Sequence, residues 1–209
     1  MLIVGAKGHA VEVLQCLSAA ELEQVVFFDN VTPDQPAWVL GQYTLLRTEA
    51  EARHYLTTVD PRYVLGLGSP ALRQRLAIQF RAWEGMLTSV VAATAVVSPH
   101  ASLGPGLNIM HHTLVAPTAS LGEGVLLNAG AAVHHDVLVG EYCEMSPGAR
   151  LLGRCRLGNR CRVGSLAVVL PDVIVEDDVI IGAGAVVTRH VPAGTTVVGV
   201  PARPVGGGH

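Results

Sequence analysis

Charge and aromatic rings are both scarce in this 209-residue chain: 15% of its residues are Asp, Glu, Lys or Arg, and 4% are Phe, Trp or Tyr. A typical domain is nearer ~25% charged. The charges nearly balance, 14 basic against 17 acidic for a net of −3, so no basic face is offered to nucleic acid or to an anionic membrane. Mean hydropathy is +0.42, yet no stretch approaches the roughly 18 consecutive apolar residues of a membrane-spanning helix. The four cysteines, Cys16, Cys143, Cys155 and Cys161, include no C-x-x-C pair. Neither a zinc ribbon nor a thioredoxin motif is therefore supported, and reduced, buried thiols are expected. Met1 leads straight into an apolar segment with no basic n-region, long h-region or cleavage site, so a cytoplasmic location is expected. With rings scarce, Val, Leu, Ile and Ala must fill the core, which implies narrow, repetitive packing.

A repeat of six supplies that packing. From Val91 to Val187 every sixth residue is aliphatic, as in Val133, Val139, Met145, Leu151 and Leu157, for seventeen hexads without an insertion. Four residues after each comes a small or medium apolar residue or Thr, and neither register carries a charge. A period of six fits neither the 3.6 of a helix nor a plain alternating strand. It fits a short strand plus a corner, three of which close a triangular coil of eighteen residues. The residue after the aliphatic is often Gly, as at Gly104, Gly122 and Gly140, which suggests a turn free of a Cβ penalty. A parallel β-solenoid of roughly five to six coils, with capped ends, is expected over 89–209. Cys143 and Cys161, eighteen residues apart, should stack on adjacent coils as thiols.

Residues 1–88 break this rule and read as α/β. An apolar strand at Met1–Val4 is followed by Gly5-Ala6-Lys7-Gly8-His9 and a helical pattern. A second strand, Val25–Phe28, ends in Asp29-Asn30; a third starts at Tyr63, and a helix with Pro at its start covers Pro70–Trp83. This is a Rossmann-like β-α-β arrangement whose glycine turn suits a phosphate. Gly5, Ala6, Lys7, Gly8 and His9, with Asp29 and Asn30 meeting a ribose or base edge, are the candidate substrate-binding residues. Tight packing at Gly5 and Gly8 would account for the same glycines.

The hexads, such as Leu157-Gly158-Asn159-Arg160-Cys161-Arg162, resemble those of the hexapeptide-repeat acyltransferases, which implies a left-handed parallel β-helix. The glycine-turn front end, the hexads and the closing Val200-Pro201-Ala202-Arg203-Pro204 together resemble the sialic-acid O-acetyltransferase and bacillosamine-type nucleotide-sugar N-acetyltransferase family over essentially the whole chain. The resemblance implies an acetyl-CoA-dependent transfer to the amine of a nucleotide-linked sugar or to a sialic-acid-like hydroxyl, without a metal, in a homotrimer with CoA between neighbouring β-helices.

Acetyl transfer from a thioester needs a base for the nucleophile's proton and a donor for the developing oxyanion. His is the natural base at neutral pH, and His135 with Asp136 stands outside both core registers. The stretch Asn128–Gly140 looks like the family's catalytic segment, which makes His135 the general base, Asp136 its orienting acid and Asn128 a substrate contact. Gly153, eighteen residues beyond His135, takes the family's oxyanion-donor position, and Ser165 and Ala183 its CoA groove. One departure stands out: the family often has His nine residues after the base, and this chain has Glu144, a cofactor-contact position where a carboxylate cannot donate. Arg150, Arg154, Arg156, Arg160 and Arg162 form a row suited to CoA phosphates or to solvent, and His111-His112 is a second polar corner. Two other readings stay open, a zinc enzyme like the γ-type carbonic anhydrases, although its His-x-x-x-x-His pair is missing, and a non-catalytic scaffold that only binds sugar nucleotides.

Overall fold

A computed structural model describes residues 1–33 and 36–205. The first half is a six-stranded sheet: β1 (Leu2–Val4), β2 (Val26–Phe28), β3 (Trp38–Val39), β4 (Tyr43–Leu46), β5 (Arg62–Leu65) and β6 (Met86–Leu87), in the order β3-β4-β2-β1-β5-β6. All neighbours run parallel except β3 on β4. β1 is central, with β2 on one side and β5 on the other, so a crevice opens at its carboxyl end where the strand order reverses. The helices are α1 (His9–Glu12), α2 (Ala19–Leu22), α3 (Glu49–Thr58) and α4 (Pro70–Ala82). The helix expected after the glycine turn is a single α turn that passes into a 3₁₀ turn at Val13–Cys16. Its macrodipole is correspondingly weak, so the turn is a poorer anion site than its glycines suggest.

Two elements escaped the sequence reading although each carried a signal. The Thr48 hydroxyl accepts from Glu51 N at 3.2 Å while Glu51 Oε2 accepts from Thr48 N at 2.9 Å, a capping box that starts α3. Ser18 and Glu21 start α2 in the same way. Between β2 and α3 the chain shows no periodicity that would have revealed β3 and β4.

From Val90 the chain winds as a left-handed β-helix. Seventeen two-residue strands, Val90–Val91 to Val186–Val187, coincide with the seventeen hexads. They stack with a register of eighteen residues on three faces, as in Leu126↔Glu144, Ala132↔Arg150 and Leu138↔Arg156. The first face holds Asn108, Leu126, Glu144 and Arg162; the second Ala132, Arg150 and Val168; the third Leu138, Arg156 and Ile174. Inward residues from Leu107 to Val191 form one continuous core.

The corner glycines act differently from the expectation. From Leu103 to Ile181 left-handed φ falls three residues after each aliphatic, at Gly106, Gly124, Gly130 and Gly148 but also at His112, Thr118, Asp136 and Arg154. The glycines directly after the aliphatics lie against the next coil instead: a Cβ on Gly122 would sit 2.8 Å from Gly140 C, and one on Gly140 2.6 Å from Gly158 C. They permit close coil-to-coil approach rather than a turn.

The carboxyl end is closed by Thr196–Val198 pairing antiparallel with Arg203–Pro204, which brings Val197 and Ala202 into the core. The opposite end stays open in the single chain, with Val91 and Leu103 half exposed. Eight of the nine aromatic residues belong to the first half, where Phe80 meets Phe28, Tyr63 and Trp83 at centroid distances of 5.5, 5.1 and 4.8 Å. The ninth, Tyr142, projects from the β-helix into that cluster.

Arg73 of α4 locks the halves together. It is fully buried and donates to Gly124 O at 3.0 and 2.8 Å, to Leu65 O at 2.9 Å and to Leu67 O at 2.8 Å. Asn108 Nδ2 donates to the same Leu65 carbonyl at 2.9 Å. Burial pushes the Arg73 pKa down to about 10, with the Glu144 charge opposing, so the group stays cationic at neutral pH. The first half is thereby seated on the first face of the β-helix. Among the described residues no helix is long and apolar enough to cross a membrane. Arg73→Met leaves buried carbonyls without donors and is expected to lower stability by on the order of 3 kcal/mol, read as a lower urea midpoint; an unchanged midpoint would contradict the clamp.

Candidate active site

His135 and Gly153 occupy equivalent positions at the corner between the second and third faces, one coil apart. A Cβ on Gly153 would lie 2.6 Å from His135 Cε1 and 2.7 Å from Nε2, so the imidazole rests against the glycine and a larger residue there would push the ring aside. His135 Nδ1 is 2.8 Å from Asp136 Oδ2. Asp136 is fixed in turn by Thr118 of the preceding coil, whose hydroxyl donates to Oδ1 at 2.7 Å and accepts from Asp136 N at 3.1 Å. The Thr118 hydroxyl first, and the His135 ring second, hold the Asp136 carboxyl below the usual carboxylate range. An ionised Asp136 keeps the proton on Nδ1 and leaves the Nε2 lone pair outward, the tautomer a general base requires. The Gly153 N–H makes no backbone hydrogen bond among the described residues, which leaves it free for an oxyanion. Thr118 is a contact of the candidate pair that the sequence reading missed; its eighteen-residue spacing from Asp136 was the available signal.

Ser165 and Ala183 also stack, with Gly184 N donating to Ser165 O at 2.8 Å, at the corner between the first and second faces. Asn128 begins the same corner, where its Oδ1 accepts from Ala129 N at 2.7 Å. Glu144 lies at the seam with the first half, 5% exposed, beside Gly68. Its Oε1 accepts from Ser146 Oγ at 2.8 Å, and Arg162 Nε stands 2.8 Å from Oε2. That contact is an ion pair without an aligned N–H, and Oε2 has no hydrogen-bond donor among the described residues.

The arginine row does not survive as one cluster. A step of six residues is a third of a coil, so Arg150, Arg156 and Arg162 sit on three different faces. Arg154 forks onto Asp172 at 2.7 and 2.8 Å and Arg160 onto Asp178 at 2.7 Å, which commits both within the chain. His111 is committed as well, to Thr94 Oγ1 at 2.8 Å and to Gln15 O at 2.9 Å. All four cysteines are free thiols, and Cys161 N approaches Cys143 Sγ at 3.3 Å across the stack.

In the first half, Gly5, Asp29 and Asn30 line a cavity of about 260 Å³ at the carboxyl ends of β1 and β2. Gly5 has φ 102°, and a Cβ there would lie 3.0 Å from Gly66 O. The other turn residues do not line it. Ala6 is buried in the core, Lys7 is exposed, and Gly8 precedes α1. His9 was expected to face a ligand, but its Nε2 is 3.1 Å from Asn108 Nδ2 and its Nδ1 is 3.3 Å from Glu12. Burial, and then the Arg73 charge, lower its pKa, so it is a neutral strut between the halves. Asp29 spends its oxygens on its own loop, accepting from Val31 N and Thr32 N at 3.0 Å and from Thr32 Oγ1 at 2.8 Å. The remaining wall comes from α3 and α4, through Glu49, Leu72, Arg75, Leu76 and Gln79, which the sequence reading did not find. A larger hollow of about 760 Å³, beside Gln24, Tyr43 and Tyr55, lies at the opposite end of the strands, away from the crevice where open α/β sheets bind ligands. The first half sits on the first face, and His135 marks the corner opposite it. In one chain, cavity and imidazole are on opposite sides of the prism.

A β-helix of hexapeptide repeats with a His–Asp pair at one corner, joined to a small α/β unit, defines a hexapeptide-type transferase. A family model described as the PglD N-terminal domain matches residues 1–80, and one described as bacterial transferase hexapeptide (six repeats) matches 154–189. The acetyltransferase domain of PglB from Neisseria gonorrhoeae is 30% identical, with 98% of each chain covered and a TM-score of 0.85. A histidine-to-alanine variant of GDP-perosamine N-acetyltransferase from Caulobacter crescentus, in complex with CoA and GDP-perosamine, is 31% identical over 99% of this chain and 96% of that one, with a TM-score of 0.91. The chain belongs to the family of hexapeptide-repeat, acetyl-CoA-dependent sugar acetyltransferases.

Because the His135 ring rests on Gly153, Gly153→Ala is expected to displace the imidazole and lower kcat by about 100-fold or more, while the melting temperature moves little. Steady-state kinetics beside a thermal melt checks this; retained kcat would break the link between the two residues.

Proposed function

We propose that this enzyme transfers the acetyl group of acetyl-CoA to the amine of a nucleotide-linked amino sugar by direct attack on the thioester. The observation that carries the reading is the corner formed by His135, Asp136 and Gly153. His135 Nε2 removes the proton from the amine as the nitrogen attacks the thioester carbonyl. Asp136 stabilises the imidazolium, and Gly153 N–H faces the oxyanion that forms. When the intermediate collapses, the C–S bond breaks and His135 returns its proton to the departing thiolate. Ser165 and Ala183, small and stacked, leave the adjacent corner open for the pantetheine arm. The N-acetyltransferase relatives favour an amine over a sialic-acid-like hydroxyl, and the His–Asp corner favours catalysis over a binding scaffold. The same relatives, solved with CoA, favour a transferase over the γ-carbonic-anhydrase reading.

The active unit we propose is a homotrimer in which the cavity of one protomer serves His135 of a neighbour. The placement of the two on opposite sides of one prism supports this. Leu138 and Ile174, on the third face beside the His135 corner, are 40% and 48% exposed, apolar surface that a second copy would cover. Four free thiols, three of them buried, suit the reducing cytoplasm.

His135→Ala is expected to keep the fold and CoA binding while losing on the order of 10²- to 10⁴-fold in turnover, measured by thiol release against a panel of nucleotide-linked amino sugars. Near-normal turnover would sink the assignment. For the shared site, co-expression of His135→Ala with a cavity-blocking Leu72→Arg chain should restore activity that each lacks alone; mixed trimers as inactive as the parents would place cavity and base in the same chain.

A further inference from the structure

The corner that carries Asp136 is a column of polar residues, Thr118, Asp136, Arg154 and Asp172, each one coil from the next and all left-handed, with φ of 63°, 59°, 65° and 63°. Backbone bonds hold the coils in line: Arg154 N donates to His135 O at 3.1 Å and Asp172 N to Gly153 O at 3.2 Å. Asp136 is bracketed along this column. Thr118 takes its Oδ1 from the preceding coil, and Arg154 follows on the next. The Arg154 guanidinium forks forward, with Nε and Nη2 on the two oxygens of Asp172 at 2.7 and 2.8 Å. The same fork stands at the corner between the third and first faces, where Arg160 reaches Asp178 at 2.7 Å and the residue one coil back is Tyr142. The forward fork therefore belongs to the frame; at the His135 corner it has a carboxylate of the candidate pair directly behind it.

Resting on the reading of His135 as the general base, we infer that Asp172 is a positioning residue for the transfer: its fork holds Arg154 off Asp136 and reserves that carboxylate for the imidazole. A guanidinium donates two parallel, charged hydrogen bonds to a carboxylate, whereas a neutral His135 ring donates one, from Nδ1. In a contest for Asp136 Oδ2, which stands 2.8 Å from Nδ1, the arginine has the stronger claim. The competitor is close at hand. Arg154 lies one coil away with its side chain 55% exposed, so solvent gives it room to swing. After the Thr118 hydroxyl and the His135 ring, the Arg154 charge also lowers the Asp136 pKa, so its field already reaches the carboxylate. Capture of Asp136 by Arg154 would take from the ring the acceptor that fixes Nε2 outward. The imidazolium formed during proton removal would then face an ion pair instead of a bare anion. Asp172 prevents both, since its oxygens occupy the guanidinium and its charge offsets that of Arg154.

Thiol release from acetyl-CoA by the intact enzyme, with the nucleotide-linked amino sugar that reacts fastest in the panel above as acceptor, tests the inference. Asp172→Asn keeps a residue that tolerates left-handed φ but turns an amide donor toward the guanidinium. Its kcat should fall about ten-fold, with KM for either substrate within about two-fold. Arg154→Gln added to Asp172→Asn removes the competitor and should return kcat to within about two-fold of the starting enzyme. Asp178→Asn breaks the matching fork at the other corner and should leave kcat unchanged, while shifting the melting temperature as much as Asp172→Asn does. An unchanged kcat in Asp172→Asn beside a lost one in His135→Ala overturns the role of Asp172 and leaves the base assignment standing. A double variant as slow as Asp172→Asn alone overturns it too, as does a raised KM for acetyl-CoA with kcat intact, the mark of a cofactor contact. Retained turnover in His135→Ala overturns the base assignment itself.

Discussion

Everything in the β-helix follows from one constraint: each coil must contain eighteen residues, so that a side chain lies over the residue eighteen positions away. Parallel pairing enforces it, since one inserted residue would turn the buried aliphatics of every later coil toward solvent. The same constraint builds the candidate active site. Thr118 reaches Asp136 and Gly153 reaches His135 because each pair is one coil apart. The candidate catalytic corner is a place where the stack carries polar residues in registers the core does not use, held by the stiffness of the frame rather than by a flexible loop.

A second constraint sets what the frame can serve. The first half sits on one face, and polar side chains stand in its seam beside the apolar contacts of Tyr142 and Val90. Arg73, Asn108, His9 and Glu144 meet there with little access to water. Arg73 finds only carbonyl oxygens and the more distant Glu144, so its charge is spread over dipoles instead of being cancelled by a contacting carboxylate. Such a buried and satisfied group fixes orientation as well as stability. It holds α4, and with α4 the wall of the cavity, at a set angle to the β-helix.

The repeat made most of the fold legible from sequence, because each strand of the β-helix is local and its partner is given by arithmetic. The positions of His135, Asp136 and Gly153 followed from the same count. What stayed hidden depended on direction rather than spacing. Arg150, Arg156 and Arg162 are close in sequence and point to three faces. His9 stands in the glycine turn yet points into the seam, because Asn108, ninety-nine residues away, offers it a partner. The wall formed by Leu72, Arg75 and Leu76 could be read only as one side of a helix, since nothing in the sequence says which side meets the strand ends.

The corner residues show how the repeat and the chemistry share one conformation. Each corner from Gly106 to Gly184 asks for left-handed φ three residues after the aliphatic, which glycine adopts freely and Asp or Asn with modest strain. Asp136, at φ 59°, meets that demand with the residue type that also orients the imidazole. Thr118 does not fit so easily: a β-branched residue at φ 63° is strained by its own side chain. The frame holds it there, with the Thr118 N–H on His100 O at 3.2 Å and the hydroxyl exchanging two hydrogen bonds with Asp136. A glycine at position 118 would remove the strain but also the hydroxyl that fixes the Asp136 carboxylate beside His135. The strain is retained where relaxing it would unfix the candidate base.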